Sequence, residues 1–423
     1  MNYQTPKGTR DFILEDMRLR DYVMKKLETW FKSYAYQKME TPVFEYLEVL
    51  TKKSGEIENE IYTFKDKSGR DLALRFDLTV PLARVISSNP FLKKPFKRYC
   101  ISRVWRYENP QFGRFREFWQ ADVDIVGLDT MECEVELLDL ATKVCEDFGF
   151  KNYLIHLNNR KILGAFVRLA GIKPEKINDV FISLDKLDKI GSKGVKNEFL
   201  SRKLTKKNYD NFMENIKLEG SNHEKLNYLS NLFQNDEIGK EGVEEIKQII
   251  YALEKLNLGN KVFIDLTLVR GLGYYTGPIF EIKSKDVDVG SFAGGGRYDD
   301  LIGLYGKESV PAVGVSFGLE RFIEILKNIN FKFESPTKMF IASIGNWDIK
   351  LEAMRIADKL RKKPFREIET NLSSKSLKKQ LDYANKIGAK KVIIVGEKDI
   401  KEKKVTIKDM ETGQEKKADI NSL

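Results

Sequence analysis

The chain has 423 residues, 42% of them hydrophobic, with a formal net charge of +10. That length exceeds one ordinary core and predicts two or three domains. No apolar run is long enough to span a membrane and MNYQTPKGTRDF is no signal peptide, so the expectation is a cytoplasmic protein with no membrane partner. Histidine occurs only at His156 and His223, and cysteine only at Cys100, Cys133 and Cys145. This argues against a histidine triad, a His-ligated zinc site and a disulfide framework. Catalysis would have to run on carboxylates, arginines or a cofactor.

In chain order, Leu19, Val23, Leu27, Trp30 and Tyr34 recur at helical spacing and predict an amphipathic helix over 16–36. Residues 41–46, entered through Pro42, read as a strand, as do 72–80, 99–108 and 115–126. A helix over 131–148 ends at Gly149. From about 159 to 257 the pattern is helical and lysine-rich, with loops at 191–194 and 220–222, as expected of an inserted helical domain. Residues 262–269 return to strand, 314–318 read as a short strand or turn, and 319–326 as a helix. The segment 328–337 looks like a linker. Beyond it, strands at 339–344, 366–370 and 392–395 alternate with helices at 349–362 and 375–387, which predicts a small α/β domain.

Side chains on a strand alternate between faces. In 72–80, Ala73, Arg75, Asp77 and Thr79 oppose Leu72, Leu74, Phe76, Leu78 and Val80. In 115–126, Phe118, Gln120, Asp122 and Asp124 oppose Trp119, Ala121, Val123 and Ile125. Arg106 and Glu108 share a face of 99–108. One wet face is ordinary in an antiparallel sheet. The composition of these faces is less ordinary: carboxylates suit an amine, arginines suit phosphates, and an aromatic ring suits a flat base. The loop NPQFGR adds Arg114, with Arg116 just beyond it.

In LVRGLGYYTGPIFEI, residues 268–282, Arg270 ends an apolar run. Gly271, Gly273 and Gly277 have the wrong spacing for a dinucleotide fingerprint, and Pro278 leads into a second strand rather than a helix. Taken alone, Arg270 reads as a strand-end arginine reaching water. Glycines 294–296, before Arg297 and Tyr298, permit close backbone approach to a ligand, although such a run is more often a flexible turn. From Pro336 onward, 21 lysines and arginines stand against 13 aspartates and glutamates. A basic module suits a polyanionic partner, and a lysine-rich soluble surface has the same excess.

The segments TPKGTRDF, TPVFEYLEVL, LRFDLTVPLAR, VWRYENPQFGRFREFWQADVDIVG, LVRGLGYY, AGGGRYD and GVSFGLERF occur in this order nearly end to end. Together they resemble the histidyl-tRNA synthetases, a family of class II aminoacyl-tRNA synthetases. The resemblance implies an α+β catalytic domain built on an antiparallel sheet over 1–327, interrupted by a helical insertion at about 159–257. A linker at 328–337 and an α/β anticodon-binding domain at 338–423 would follow. It implies ATP, with Mg2+ bound to it and no metal held by protein ligands alone, and as partners histidine, tRNA(His) and a second copy of the chain.

Residue by residue, the resemblance puts Arg106 at the α-phosphate of ATP and Glu108 at the adenine amino group. Phe118 would stack on adenine, with Arg321 on its other side, and Arg114 would bind the phosphate tail. Asp77, Thr79 and Gln120 would hold the α-amino group of histidine, and Asp124 and Tyr275 would read the imidazole. Tyr274 and Tyr298 complete the implied histidine pocket, and Gln111 and Arg116 the tRNA acceptor-end contacts. Arg270 would face Arg106 across the α-phosphate. One departure stands out: Gly273 occupies the place of an aspartate in the family's RGLDYY. The competing reading is a synthetase-like regulatory subunit of histidine biosynthesis without aminoacylation activity.

Overall fold

The computed structural model describes residues 3–423 apart from 53–54, 272, 307, 334–335 and 365. It divides into two compact units, Met1–Phe331 and Lys332–Leu423.

The first unit is built on an eight-stranded sheet in the order Gln37–Lys38, Phe96–Trp105, Glu117–Val126, Ala312–Gly318, Ser291–Arg297, Pro278–Ser284, Tyr153–Asn159, Val262–Ile264. The six central strands pair antiparallel, and both edge strands pair parallel. Helix Leu14–Ser33 buries Leu19, Val23 and Leu27 of the stripe read from its periodicity, but continues it through Phe31, while Trp30 and Tyr34 are only half-buried. It packs against helices Glu132–Asp147 and Leu319–Asn328. Between strands Tyr153–Asn159 and Val262–Ile264 the chain is helical, from Arg160–Leu169 to Glu237–Lys255. These two helices pack on each other.

Several elements differ from the sequence reading. The segment 72–80 is a strand only over Asp71–Leu74, and Thr79–Ser88 is a helix. Asp77 Oδ1 accepts the backbone N–H of Val80 at 3.1 Å, and Pro81 lies in the first turn, where no N–H is needed. Asp and Pro four residues apart mark a helix start, and the apolar alternation masked it. The strand Asp71–Leu74 pairs instead with Phe44–Tyr46 and Thr63–Lys65 in a separate three-stranded sheet.

Arg106 and Glu108 lie past the end of strand Phe96–Trp105. The run 262–269 leaves the sheet after Ile264, where Asp265 Oδ1 accepts the N–H of Thr267 at 3.0 Å. Glycines 294–296 form no turn. They lie within strand Ser291–Arg297, and a Cβ on Gly295 would fall 2.9 Å from the Cα of Val315 on the neighbouring strand. Strand Tyr153–Asn159 was missed, and the short element at 314–318 is a full central strand.

The second unit has a five-stranded mixed sheet in the order Arg366–Thr370, Thr337–Ile344, Lys391–Gly396, Lys404–Asp409, Glu415–Asp419. The first three strands run parallel and the last two antiparallel. Helix Trp347–Arg361 covers one face through Ile356 and Leu360, and helix Leu377–Lys386 covers the other through Ala384. The two antiparallel strands escaped sequence reading because KVTIKD and EKKAD lack an apolar run. Of the expected linker 328–337, residues 334–335 lie outside the described residues.

Candidate active site

A cavity of about 800 Å3 opens on the central sheet of the first unit. Strand Glu117–Val126 supplies its floor. Phe118, Gln120, Asp122 and Asp124 line the cavity, while Ala121, Val123 and Ile125 point into the core. The alternation read from sequence therefore holds on this strand.

Asp124 is buried and already engaged. Its carboxylate pairs with the fully buried Arg98 at 2.9 Å and accepts the Tyr298 hydroxyl at 2.5 Å. Arg98 also donates to the Leu78 carbonyl at 3.0 Å. Gly314 stands opposite Asp124 in the strand register, and a Cβ there would collide with the Asp124 carboxylate. Gln120 Nε2 donates to Ser316 Oγ at 2.8 Å. Asp77 reaches the cavity from the start of its helix, with the Tyr274 hydroxyl 3.4 Å from Oδ2 and Thr79 beside it. Burial pushes the Asp77 carboxyl up to about 6, against the pull of the Val80 N–H and Arg106. Burial likewise pushes Asp122 up to about 7, with Arg98 opposing.

The cationic wall comes from several elements. Arg106 Nε donates to the Phe76 carbonyl at 2.9 Å, and its guanidinium lies 5.2 Å from the Phe118 ring centroid. Glu108 lies 3.8 Å from Arg106 and 3.3 Å from Arg114. Arg321 sits at the start of helix Leu319–Asn328 and donates to the carbonyls of Ser291 at 2.5 Å and Gly113 at 3.3 Å. Burial, reinforced by Arg114, pushes Arg321 down to about 10. Arg270 is not a free arginine in water: its side chain is half-buried and Nη1 donates to Glu281 Oε1 at 2.6 Å.

Tyr275 and Gln111 also line the cavity, and Arg116 does not. Arg116 instead packs on the Tyr107 ring at 3.9 Å and donates to the Glu108 carbonyl at 3.1 Å. Gly273 has open space where a Cβ would stand, so no close contact requires glycine there.

Sequence reasoning assigned no role to Asp122, Glu281, Ser316 or Arg98. It also missed Asp185, Lys186 and Lys189, which reach the cavity from the helical segment. Asp122 was visible on the polar face of its strand, but Asp185 carried no local signal. Among the described residues, no group of three or more His, Cys, Asp or Glu is placed to hold a metal ion.

An antiparallel sheet floored with carboxylates and walled by arginines from several segments is the catalytic arrangement of a class II aminoacyl-tRNA synthetase. The family model for histidyl-tRNA synthetase matches residues 8–322, and that for an anticodon binding domain matches 338–423. The chain is 37% identical to a histidine–tRNA ligase of Christiangramia forsetii, over 99% of this chain and 97% of the relative. The crystal structure of histidyl-tRNA synthetase from Nostoc sp. PCC 7120 is similar over 100% of this chain and 98% of that one, with a TM-score of 0.82 and 28% identity. A Bacillus halodurans structure described as an ATP phosphoribosyltransferase regulatory subunit/histidyl-tRNA synthetase covers 94% of this chain and 99% of its own, with a TM-score of 0.78. At 22% identity it shares the fold alone. The chain belongs to the histidyl-tRNA synthetase family.

The burial of Asp122 has a measurable consequence. The folded carboxyl holds its proton up to about pH 7, whereas an unfolded aspartate loses it near ~3.9. Between those values the folded state binds more protons, so stability falls as pH rises through the window. Asp122→Asn is therefore expected to be more stable than the wild type at pH 8, by at least ~1 kcal/mol. The gain should shrink toward pH 4. Melting curves across that range check it, and a pH-independent gap would show that Asp122 is not the group responsible.

Proposed function

We propose that this chain is a histidine–tRNA ligase. It activates histidine with ATP and transfers it to the 3′ end of tRNA(His). The observation that carries this is the pairing, in one cavity, of a carboxylate floor with Arg106, Arg114, Arg270 and Arg321. A carboxylate oxygen of histidine attacks the α-phosphorus of ATP, a P–O bond forms, the bond to the bridging oxygen breaks, and pyrophosphate leaves. Negative charge grows on the phosphoryl oxygens. Arg106 and Arg270 stabilise it as preorganised donors. The terminal ribose hydroxyl of tRNA then attacks the activated carbonyl, an ester bond forms as the bond from that carbon to the phosphate oxygen breaks, AMP leaves, the hydroxyl proton passes to solvent, and no protein nucleophile is needed.

In this reading Asp77, Thr79 and Gln120 hold the α-amino group. Asp124, clamped by Arg98 and Tyr298, reads the imidazole together with Tyr275, while Tyr274 braces Asp77. Glu108 and Phe118 hold adenine, with Arg321 on the other face of the ring. Arg114 holds the phosphate tail, to which Mg2+ would be bound as part of the nucleotide. Gln111 and Arg116 guide the acceptor end. Residues 1–327 form the catalytic domain, with 159–257 as its insertion.

The regulatory-subunit reading is less supported. The arginines are all present, and the chain carries a region matched by the anticodon-binding model. Residues 338–423 are proposed to bind the anticodon arm. Arg361, Lys375, Lys379 and Tyr383 line a cavity of about 470 Å3 in that unit. A homodimer is proposed through the small sheet, where Phe44 and Phe64 pack edge to face yet remain 51% and 42% exposed. No described helix is long and apolar enough to cross a membrane. A cytoplasmic location fits the proposed substrates.

Pyrophosphate exchange into ATP is expected with histidine and not with other amino acids, with discrimination on the order of 10⁴ where a hydrogen-bonded imidazole is absent. Exchange without such selectivity would remove the assignment. Deleting 332–423 should slow tRNA charging at least ~10-fold through lost phosphate contacts, while histidine-dependent exchange persists. Equal loss of both activities would mean that the segment mainly supports the fold. Light scattering should give twice the 49.0 kDa chain mass, and a monomer at micromolar concentration would count against the dimer.

A further inference from the structure

Arg270 sits in a cradle that no motif assigned. Gly294 stands directly opposite Glu281 in the antiparallel pair of strands Ser291–Arg297 and Pro278–Ser284. A Cβ on Gly294 would fall 2.7 Å from Arg270 Nη1 and 3.1 Å from its Cζ. The guanidinium therefore occupies the space of the missing side chain. From there Nη1 donates to Glu281 Oε1 at 2.6 Å. The other oxygen of Glu281 lies 3.7 Å from Lys283 Nζ, so the carboxylate has a second cation behind it.

The backbone after Arg270 is hemmed in as well, because a Cβ on Gly271 would fall 2.9 Å from Asp185 Oδ2. Arg270 Nε is buried and has no hydrogen-bond partner. Burial alone would make the cation less favourable, and the Glu281 carboxylate at 2.6 Å opposes that cost.

We propose that Glu281 and Gly294 are positioning residues for Arg270. Glu281 holds one edge of the guanidinium, and Gly294 leaves the slot in which that edge lies. Arg270 also lines the cavity, where the edge of the guanidinium not held by Glu281 would meet a phosphate oxygen. The inference rests on the reading of Arg270 as a group acting on the α-phosphate. An untethered arginine has many rotamers and would have to be ordered during the reaction. A tethered one meets the developing charge without reorganising. The first glycine of the AGGGRYD motif is then a catalytic requirement as well as a packing one.

The test is single-turnover histidyl-adenylate formation with the full chain, using Arg270→Ala, Glu281→Ala, Glu281→Gln, Gly294→Ala and the Arg270→Ala/Glu281→Ala double variant, each with a melting curve. Arg270→Ala should slow adenylation by ~10²–10³. Glu281→Ala should slow it by roughly tenfold with KM for ATP and histidine within about threefold, the pattern of an interaction made in the transition state. Glu281→Gln keeps one acceptor oxygen and should recover part of the rate. On the Arg270→Ala background, loss of Glu281 should cost nothing more, because a residue acting only through Arg270 has nothing left to position.

If Glu281→Ala fails to fold, Gly294→Ala tests the same cradle from the opposite strand and should show the same split between kcat and KM. A normal rate in Arg270→Ala removes the reading on which the inference rests. A slow Arg270→Ala beside a normal Glu281→Ala, or losses that multiply in the double variant, overturns the cradle alone. If only Gly294→Ala can be measured, a normal rate in it overturns the cradle too.

Discussion

The burial of charge in the central sheet is the constraint on which the rest of the first unit depends. Asp122 and Asp124 lie on a strand face removed from water, and an unpaired carboxylate there would be strongly disfavoured. Arg98 on the adjacent strand answers that cost by pairing with Asp124 at 2.9 Å. The same solution recurs around the sheet. Arg297 is bidentate to Glu134, at 2.7 Å through both Nε and Nη2, and Arg20 pairs with Glu320 at 3.0 Å. Arg75 differs, because its donors go to backbone carbonyls of Thr41, Pro42 and Arg103, so one buried cation ties three chain segments together. Breaking such a pair leaves an uncompensated charge inside, which makes the register of these strands hard to shift.

Glycine makes the complementary contribution. Asp124 lies where a side chain at Gly314 would stand, and Arg270 lies where one at Gly294 would stand. The two strands that carry these glycines give up packing surface so that functional groups from elsewhere can lie flat on the sheet. Gly295, next to Gly294 on the same strand, has another reason, since its neighbour is the backbone of the adjoining strand. Within the glycine run, Gly294 therefore makes room for a side chain, whereas Gly295 and Gly296 make room for neighbouring backbone, of Val315 and of Pro278.

The N-terminal segment has a comparable part. Arg116 donates its N–H to the Gly8 carbonyl at 2.8 Å, and the Arg10 guanidinium lies 4.0 Å from the Phe115 ring centroid. Glu320, held by Arg20, accepts the N–H of Trp119 at 3.0 Å. The segment before the first helix, that helix, and the helix carrying Arg321 are thus all fastened to the chain just after the loop that carries Arg114.

What the sequence by itself determined was periodicity and local chemistry. The helical stripe of Leu19, Val23 and Leu27, the two faces of strand Glu117–Val126 and the order of the family segments were all legible there. Where two periods overlap, as in DLTVP, alternation suggested a strand, and the helix start at Asp77 and Pro81 overruled it. Only the tertiary structure decided partners. Tyr298 meets Asp124 across 174 residues of chain, and Asp185 reaches the cavity from the helical segment. Periodicity tells which face a side chain takes, but not which strand lies next to it or in what register. Those depend on how the whole sheet closes around its buried charges, and no short stretch of sequence contains that information.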